Sequence, residues 1–166
     1  MPFQMDFFAV NMGNGAYTYV LMLANSGTGG GSDILVFRES GGSLVVLKRF
    51  IYSGFTDNIY VKATFSSDTE YTGTLYPTGR TFSGVAKASS GSFNRTGGGL
   101  YDRTLGDMKY VLREDGCYDL IFSTSEYCLG NWDSIGSSKT RYVMENGALT
   151  IAEQWYEAWS GTVSNH

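Results

Sequence analysis

Between Ala148 and Trp159 the chain carries two carboxylates among large apolar groups. Read as a strand, the segment sets Leu149, Ile151, Glu153, Trp155, Glu157 and Trp159 on one face. A carboxylate surrounded by aliphatic and aromatic side chains costs free energy unless something pairs with it. Glu153 and Glu157 therefore point to a pocket with polar handles rather than a plain core. The plainer alternative is an edge or barrel strand whose outer end is solvated.

Arginines within apolar strand patterns form a second candidate set. Arg49 shares a face with Val45, Leu47 and Ile51, Arg141 with Val143 and Glu145, and Arg113 with Val111. A guanidinium suits bidentate pairing with a ligand carboxylate. It equally suits a solvent-side position with its stem laid over apolar neighbours. Tyr110, Tyr118 and Tyr142 offer flat apolar area with a hydroxyl, for a ligand or for core and rim packing. Asp119 falls on the face of Cys117 and Ile121, opposite Tyr118, Leu120 and Phe122, and is expected to meet water. The acidic turn Glu114-Asp115-Gly116 works against a thiolate at Cys117, so Cys117 and Cys128 read as structural, unbridged thiols.

Other chemistries lack their residues. His166 is the only histidine and occupies the last position, where chains fray. That argues against Ser-His-Asp and Cys-His hydrolysis and against histidine-based zinc sites, so no metal is expected. The Gly27–Ser32 loop lacks the lysine and following helix of a phosphate-binding loop. A net charge of −4 argues against a nucleic-acid partner.

The elements that must position these groups alternate with period two. Tyr17–Leu23, Ile34–Phe37, Ser43–Tyr52, Ile59–Phe65, Glu70–Tyr76, Arg80–Ala88, Met108–Glu114, Cys117–Ser123, Thr140–Asn146 and Ala148–Trp159 read as strands. Phe7–Met12 fits a short helix or an extended lead-in. Gly41-Gly42, Pro77-Thr78-Gly79, Asp115-Gly116 and Asn146-Gly147 supply turns, Asn25–Ser32 a loop, and Ala88–Gly106 the longest irregular stretch, suited to a flap. The chain has 22 glycines, 2 prolines and 15% aromatic residues, a balance suited to β-structure with tight turns. With 166 residues and no visible linker, 1–166 reads as a single domain. The expected fold is an all-β, antiparallel up-and-down barrel of about ten strands, lipocalin- or calycin-like and able to hold one ligand, with a β-sandwich as the alternative. No signal peptide or membrane-spanning run is visible, so a soluble cytoplasmic protein without a membrane partner is expected, or a stromal one in a plastid.

Several patches carry a resemblance. Phe7-Phe8, then Gly13 and Tyr17, resembles the opening of the S-type phycobiliprotein (bilin) lyases, and Ser32-Asp33-Ile34 resembles their Ser-x-Ile. Lys109-Tyr110-Val111 with Asp115-Gly116 and Leu120, Lys139-Thr140-Arg141, and Gly147 followed by Glu153 or Glu157 are similar to later features of that family. Gly116-Cys117, Cys128, Tyr142 and Glu145 resemble the related T-type lyases. The S-type Glu-Arg-x-Trp motif is represented only by Trp132. The resemblance implies a lipocalin-like barrel that delivers a linear tetrapyrrole, bound as substrate, to a cysteine of an apo-phycobiliprotein. It makes Glu153 or Glu157 the acid and Arg141 the propionate anchor and adds Glu145 and Tyr142 as ligand contacts, while Arg49 and Trp155 are expected to line the pocket from their strand positions. A homodimer is compatible with it. Two other functions stay open: a non-catalytic carrier of a hydrophobic ligand, and a β-sandwich carbohydrate-binding or interaction module using Trp132 or Trp159.

Overall fold

The computed structural model describes residues 3–13, 15–25, 32–50, 59–88, 94–129 and 133–166. These form strands without helices: β1 (Phe3–Asn11), β2 (Tyr17–Asn25), β3 (Ser32–Ser40), β4 (Ser43–Phe50), β5 (Tyr60–Phe65), β6 (Glu70–Tyr76), β7 (Arg80–Val85), β8 (Tyr101–Leu112), β9 (Tyr118–Tyr127), β10 (Ser134–Glu145), β11 (Ala148–Ala158) and β12 (Thr162–Asn165). No described helix is long and apolar enough to cross a membrane.

The described residues are all-β and antiparallel, as expected, but form twelve strands rather than about ten. They hydrogen-bond in three four-stranded sheets, ordered β1-β2-β3-β4, β11-β10-β9-β8 and β12-β7-β6-β5, with no closed ring of pairing among the described residues. Of the Phe7–Met12 segment, all but Met12 belongs to a strand, β1, whose partner β2 is in register from Phe3↔Asn25 to Asn11↔Tyr17. The Ala88–Gly106 stretch is irregular only in part: Tyr101 already opens β8, and Gly97 and Gly98 hydrogen-bond Phe65 along the edge of β5. Residues 26–31, within the expected Asn25–Ser32 loop, and Ile51 and Trp132 lie outside the described residues.

Turn chemistry explains the β10–β11 hairpin. Asn146 and Gly147 have φ of 50° and 76°, the left-handed pair that a two-residue hairpin turn requires.

The chain divides into two compact units. Unit 1 comprises Met1–Asp57, Thr104–Ser123 and Thr140–Glu153; unit 2 comprises Asn58–Arg103, Thr124–Lys139 and Gln154–His166. Four of the five boundaries fall inside β8, β9, β10 and β11, where the strand runs on without a linker; the fifth, Asp57–Asn58, lies outside the described residues. In unit 1, Val20, Ile34, Val36 and Leu120 are fully buried, and Phe50 stacks on Phe122 with ring centroids 4.4 Å apart. In unit 2, Phe65, Tyr71, Leu75, Phe82, Ile135 and Tyr156 form the core. Phe82 and Tyr156 stack at 4.3 Å, and Gly73 lets the Phe82 ring lie against its backbone. A Cβ at Gly73 would sit 2.4 Å from Phe82 Cζ.

Candidate functional site

The structure joins two of the expected site residues. In unit 1, Arg141 on β10 donates from Nε and Nη2 to Glu153 Oε2 on β11, at 3.3 and 3.2 Å. Its Nη1 donates to Asp119 Oδ2 on β9 at 3.0 Å. Arg113, beyond the end of β8, donates from Nη1 to the other oxygen of Asp119 at 3.2 Å and also grips Asp115. Its guanidinium, helped by the Cys117 N–H, holds the Asp115 carboxyl down at about 2. Hydrogen bonds to Asp119 and then to Glu153 raise the Arg141 guanidinium further above its ordinary range.

Asp119 is the correction here. It does not meet water but is 3% exposed, because two arginine side chains converge on it. Removing it leaves two cations facing each other without their shared anion. Asp119→Ala is expected to cost about 2 kcal/mol in a urea-unfolding comparison, the scale of hydrogen bonds to charged groups. Glu153 is 41% exposed, so Glu153→Gln is expected to cost under about 1 kcal/mol. Equal losses for the two variants would contradict this ranking.

The remaining expected residues sit elsewhere. Tyr142 is fully buried, its ring edge-on to Phe50 at 5.6 Å, and the Lys48 ammonium lies 5.4 Å from the ring centre. Arg49 is exposed on β4 opposite Leu35. Glu145 is exposed and accepts from Thr150 Oγ1 at 3.0 Å. In unit 2, Glu157 is exposed and accepts from Trp155 Nε1 at 2.8 Å, with Lys139 Nζ 3.7 Å away. The face of β11 that is fully buried in unit 2 is the opposite one, Gln154 and Tyr156. The Gln154 amide is consumed by Thr78, which donates from its N–H and hydroxyl, and by the Tyr76 carbonyl.

Cys117 and Cys128 are both free thiols. Burial, reinforced by Asp133, pushes the Cys128 thiol up, which disfavours the nucleophilic thiolate. Among the described residues no His, Cys, Asp and Glu side chains group to hold a metal.

A second surface emerges in unit 2. Along β5, β6 and β7, Val61, Tyr71, Leu75 and Phe82 point into the core, which sends Lys62, Thr64, Thr72, Thr74, Thr81 and Ser83 to the other face. Their register aligns them across the strands: Lys62↔Thr74↔Thr81 and Thr64↔Thr72↔Ser83, with Ser164 of β12 continuing the second row. All six line one open cleft of about 750 Å³. Next to Lys62 and Thr74 on the same face, Tyr60 and Tyr76 stack at 4.5 Å, and the Lys62 ammonium lies 5.7 and 5.6 Å from their ring centres. His166, expected to be frayed, is tied to this face. Its N–H donates to the Thr81 carbonyl at 2.8 Å, and its Nε2 lies 3.2 Å from Ser83 Oγ. Among the described residues no carboxylate side chain hydrogen-bonds the other ring nitrogen, so the pair lacks the orienting group of a hydrolytic triad.

The sequence signal for this face was the alternation of Lys62 and Thr64 with Val61, Ala63 and Phe65, echoed in the next two strands. Setting strands side by side in register would have shown it. No family model, curated protein or solved structure matches the chain.

Proposed function

We propose that this chain is a binding module for a polyhydroxylated, saccharide-type ligand, held on the outer face of the β12-β7-β6-β5 sheet. The observation that carries the reading is the array of aligned hydroxyls and one ammonium lining a single open cleft. A Thr or Ser hydroxyl both donates and accepts, which matches the hydroxyls of a sugar. Threonine is stiff at χ1, so its hydroxyl is already ordered and less freedom is lost on binding. The Tyr60–Tyr76 pair, on the same face beside Lys62, supplies apolar area with polar tips. The face lies within one sheet, so it serves equally in a closed barrel or a two-sheet sandwich.

The test is an amide NMR titration with a panel of neutral oligosaccharides. Perturbed amides are expected on β5, β6 and β7. Thr72→Val plus Thr74→Val keeps the branched shape, removes two hydroxyls, and is expected to weaken binding about tenfold or more. The proposal fails if no oligosaccharide perturbs these amides, or if the double variant binds as tightly as the parent.

A bilin lyase is the second reading, favoured by the contact between Arg141 and Glu153, the anchor and acid that the resemblance implies. It ranks second because the Arg141 guanidinium already grips two carboxylates, one of which a propionate would have to displace. A red-shifted bilin absorbance band that weakens in Glu153→Gln would support it. An unchanged spectrum across several bilins would remove it.

A further inference from the structure

We infer that the outer face of the β1-β2-β3-β4 sheet seats the same face of a second copy of this chain. Strand parity builds this face from apolar residues. Val10, Val20, Ile34, Val36 and Phe50 point to the core of unit 1. The alternate positions put Met5 and Phe7 of β1, Tyr19, Leu21 and Leu23 of β2, Leu35 and Phe37 of β3, and Leu44 and Val46 of β4 outward. Met5, Phe7, Leu44 and Val46 are 66%, 57%, 67% and 60% exposed. Phe7, Tyr19 and Phe37 form a stacked row across three strands, with centroids 5.9 and 5.6 Å apart. Single exposed apolar residues need no explanation; a contiguous four-strand face does.

The extent of the face and its charge pattern both select a second copy. Four strands roughly 4.8 Å apart and about nine residues long at about 3.3 Å each give a face of roughly 19 by 30 Å. Two such faces bury on the order of 1,100 Å², just above the roughly 1,000 Å² of a specific interface. Three charged side chains share the face: Asp33 and Glu39 on β3 and Arg49 on β4. A two-fold axis parallel to the strands stacks β2 on the partner's β3 and β1 on the partner's β4. The cross-strand rows then set Leu21 over Leu35, Tyr19 over Phe37, Phe7 under the Arg49 cation, and Tyr17 beside Glu39. No like charges meet, the Asp33 carboxylate falls over Leu23 near the end of the face, and the arginine lands on an aromatic ring, a favourable cation–π arrangement. An anionic bilayer is a poorer occupant, since the chain carries a net charge of −4 and this face adds two carboxylates to one arginine.

The test is sedimentation equilibrium of the full chain across a wide concentration range, with circular dichroism as the control for folding. A reversible dimer is expected. Phe7→Lys with Val46→Lys replaces two exposed side chains, sets a cation against the partner's Arg49, and is expected to raise the dimer dissociation constant about thirtyfold or more while the strand signal persists. Leu44→Glu, at the far edge, is a second variant should the first lose that signal; it is expected to weaken the dimer also. A chain that stays monomeric at all concentrations overturns the proposal. So does a dimer indifferent to both variants, or a monomer that binds phosphatidylcholine vesicles through this face.

Discussion

Replacing Arg95 with alanine is expected to destabilise the protein by about 3–5 kcal/mol, the cost of stranding one partner of a buried ion pair. Arg95 and Asp133 in unit 2 are both 6% exposed at their side chains and meet in a two-pronged pair, Nε to Oδ2 and Nη2 to Oδ1. The remaining donor, Nη1, reaches the carbonyls of Asp68 and Lys87 at 3.0 and 2.7 Å. Asp133 in turn accepts from the Leu129 N–H, and its backbone carbonyl accepts from the Cys128 N–H. One side chain thus ties together three segments distant in sequence, and the guanidinium also covers the Phe65 ring. Arg95→Ala leaves the Asp133 carboxylate without its cation and two carbonyls without their donor. Arg95→Lys restores the charge but not the fork, so it is expected to recover only part of the loss. Urea unfolding followed by circular dichroism reads both. A loss under about 1 kcal/mol, the value of an exposed pair, would mean that water replaces the arginine.

Legibility in the sequence ran along strands and stopped between them. Glu70–Tyr76 forms a strand with the expected bounds, and Asn146-Gly147 turns a hairpin, because both follow from local alternation and local φ preference. The burial of Asp119 is not legible along its own strand, because it is made by Arg141, twenty-two residues away, and by Arg113, whose side chain folds back over it. Parity along β9 says nothing about what the neighbouring strands lay over it. The same limit applies to β11. Glu153 and Arg141 are identifiable as complementary types, whereas the polar partner that lets Gln154 be buried, Thr78, lies seventy-six residues away. The polar face of unit 2 is a third case. Each strand shows one or two hydroxyls, which mean little singly, and only register makes them an array.

Alkaline solution is expected to unfold the protein in a narrow range through two core tyrosines. Tyr71 and Tyr156 are 1% and 0% exposed, and their hydroxyls have no hydrogen-bond partner among the described residues. Burial pushes the Tyr71 hydroxyl up to about 12. Burial, then the nearby Tyr71 and Glu126, pushes Tyr156 higher still. An unfolded tyrosine ionises near 10. The folded state therefore keeps both hydroxyls neutral where the unfolded chain releases their protons. The stability tied to them is fully present below pH 10 and is lost as pH rises through 12. By pH 12 the displacement has cost roughly 2 kcal/mol at Tyr71, and Tyr156, still neutral there, adds roughly 3 kcal/mol. Together these approach the whole stability of an ordinary domain. Tyr71→Phe and Tyr156→Phe should each move the alkaline midpoint upward. At neutral pH Tyr156→Phe should hold or gain about 1 kcal/mol, because it removes a buried hydroxyl that lacks a partner. Circular dichroism against pH, with tyrosinate absorbance in parallel, follows both events. Variants that track the parent across pH 10–12 would place the alkaline limit elsewhere in the fold, and a large neutral-pH loss in Tyr156→Phe would reveal a partner for that hydroxyl.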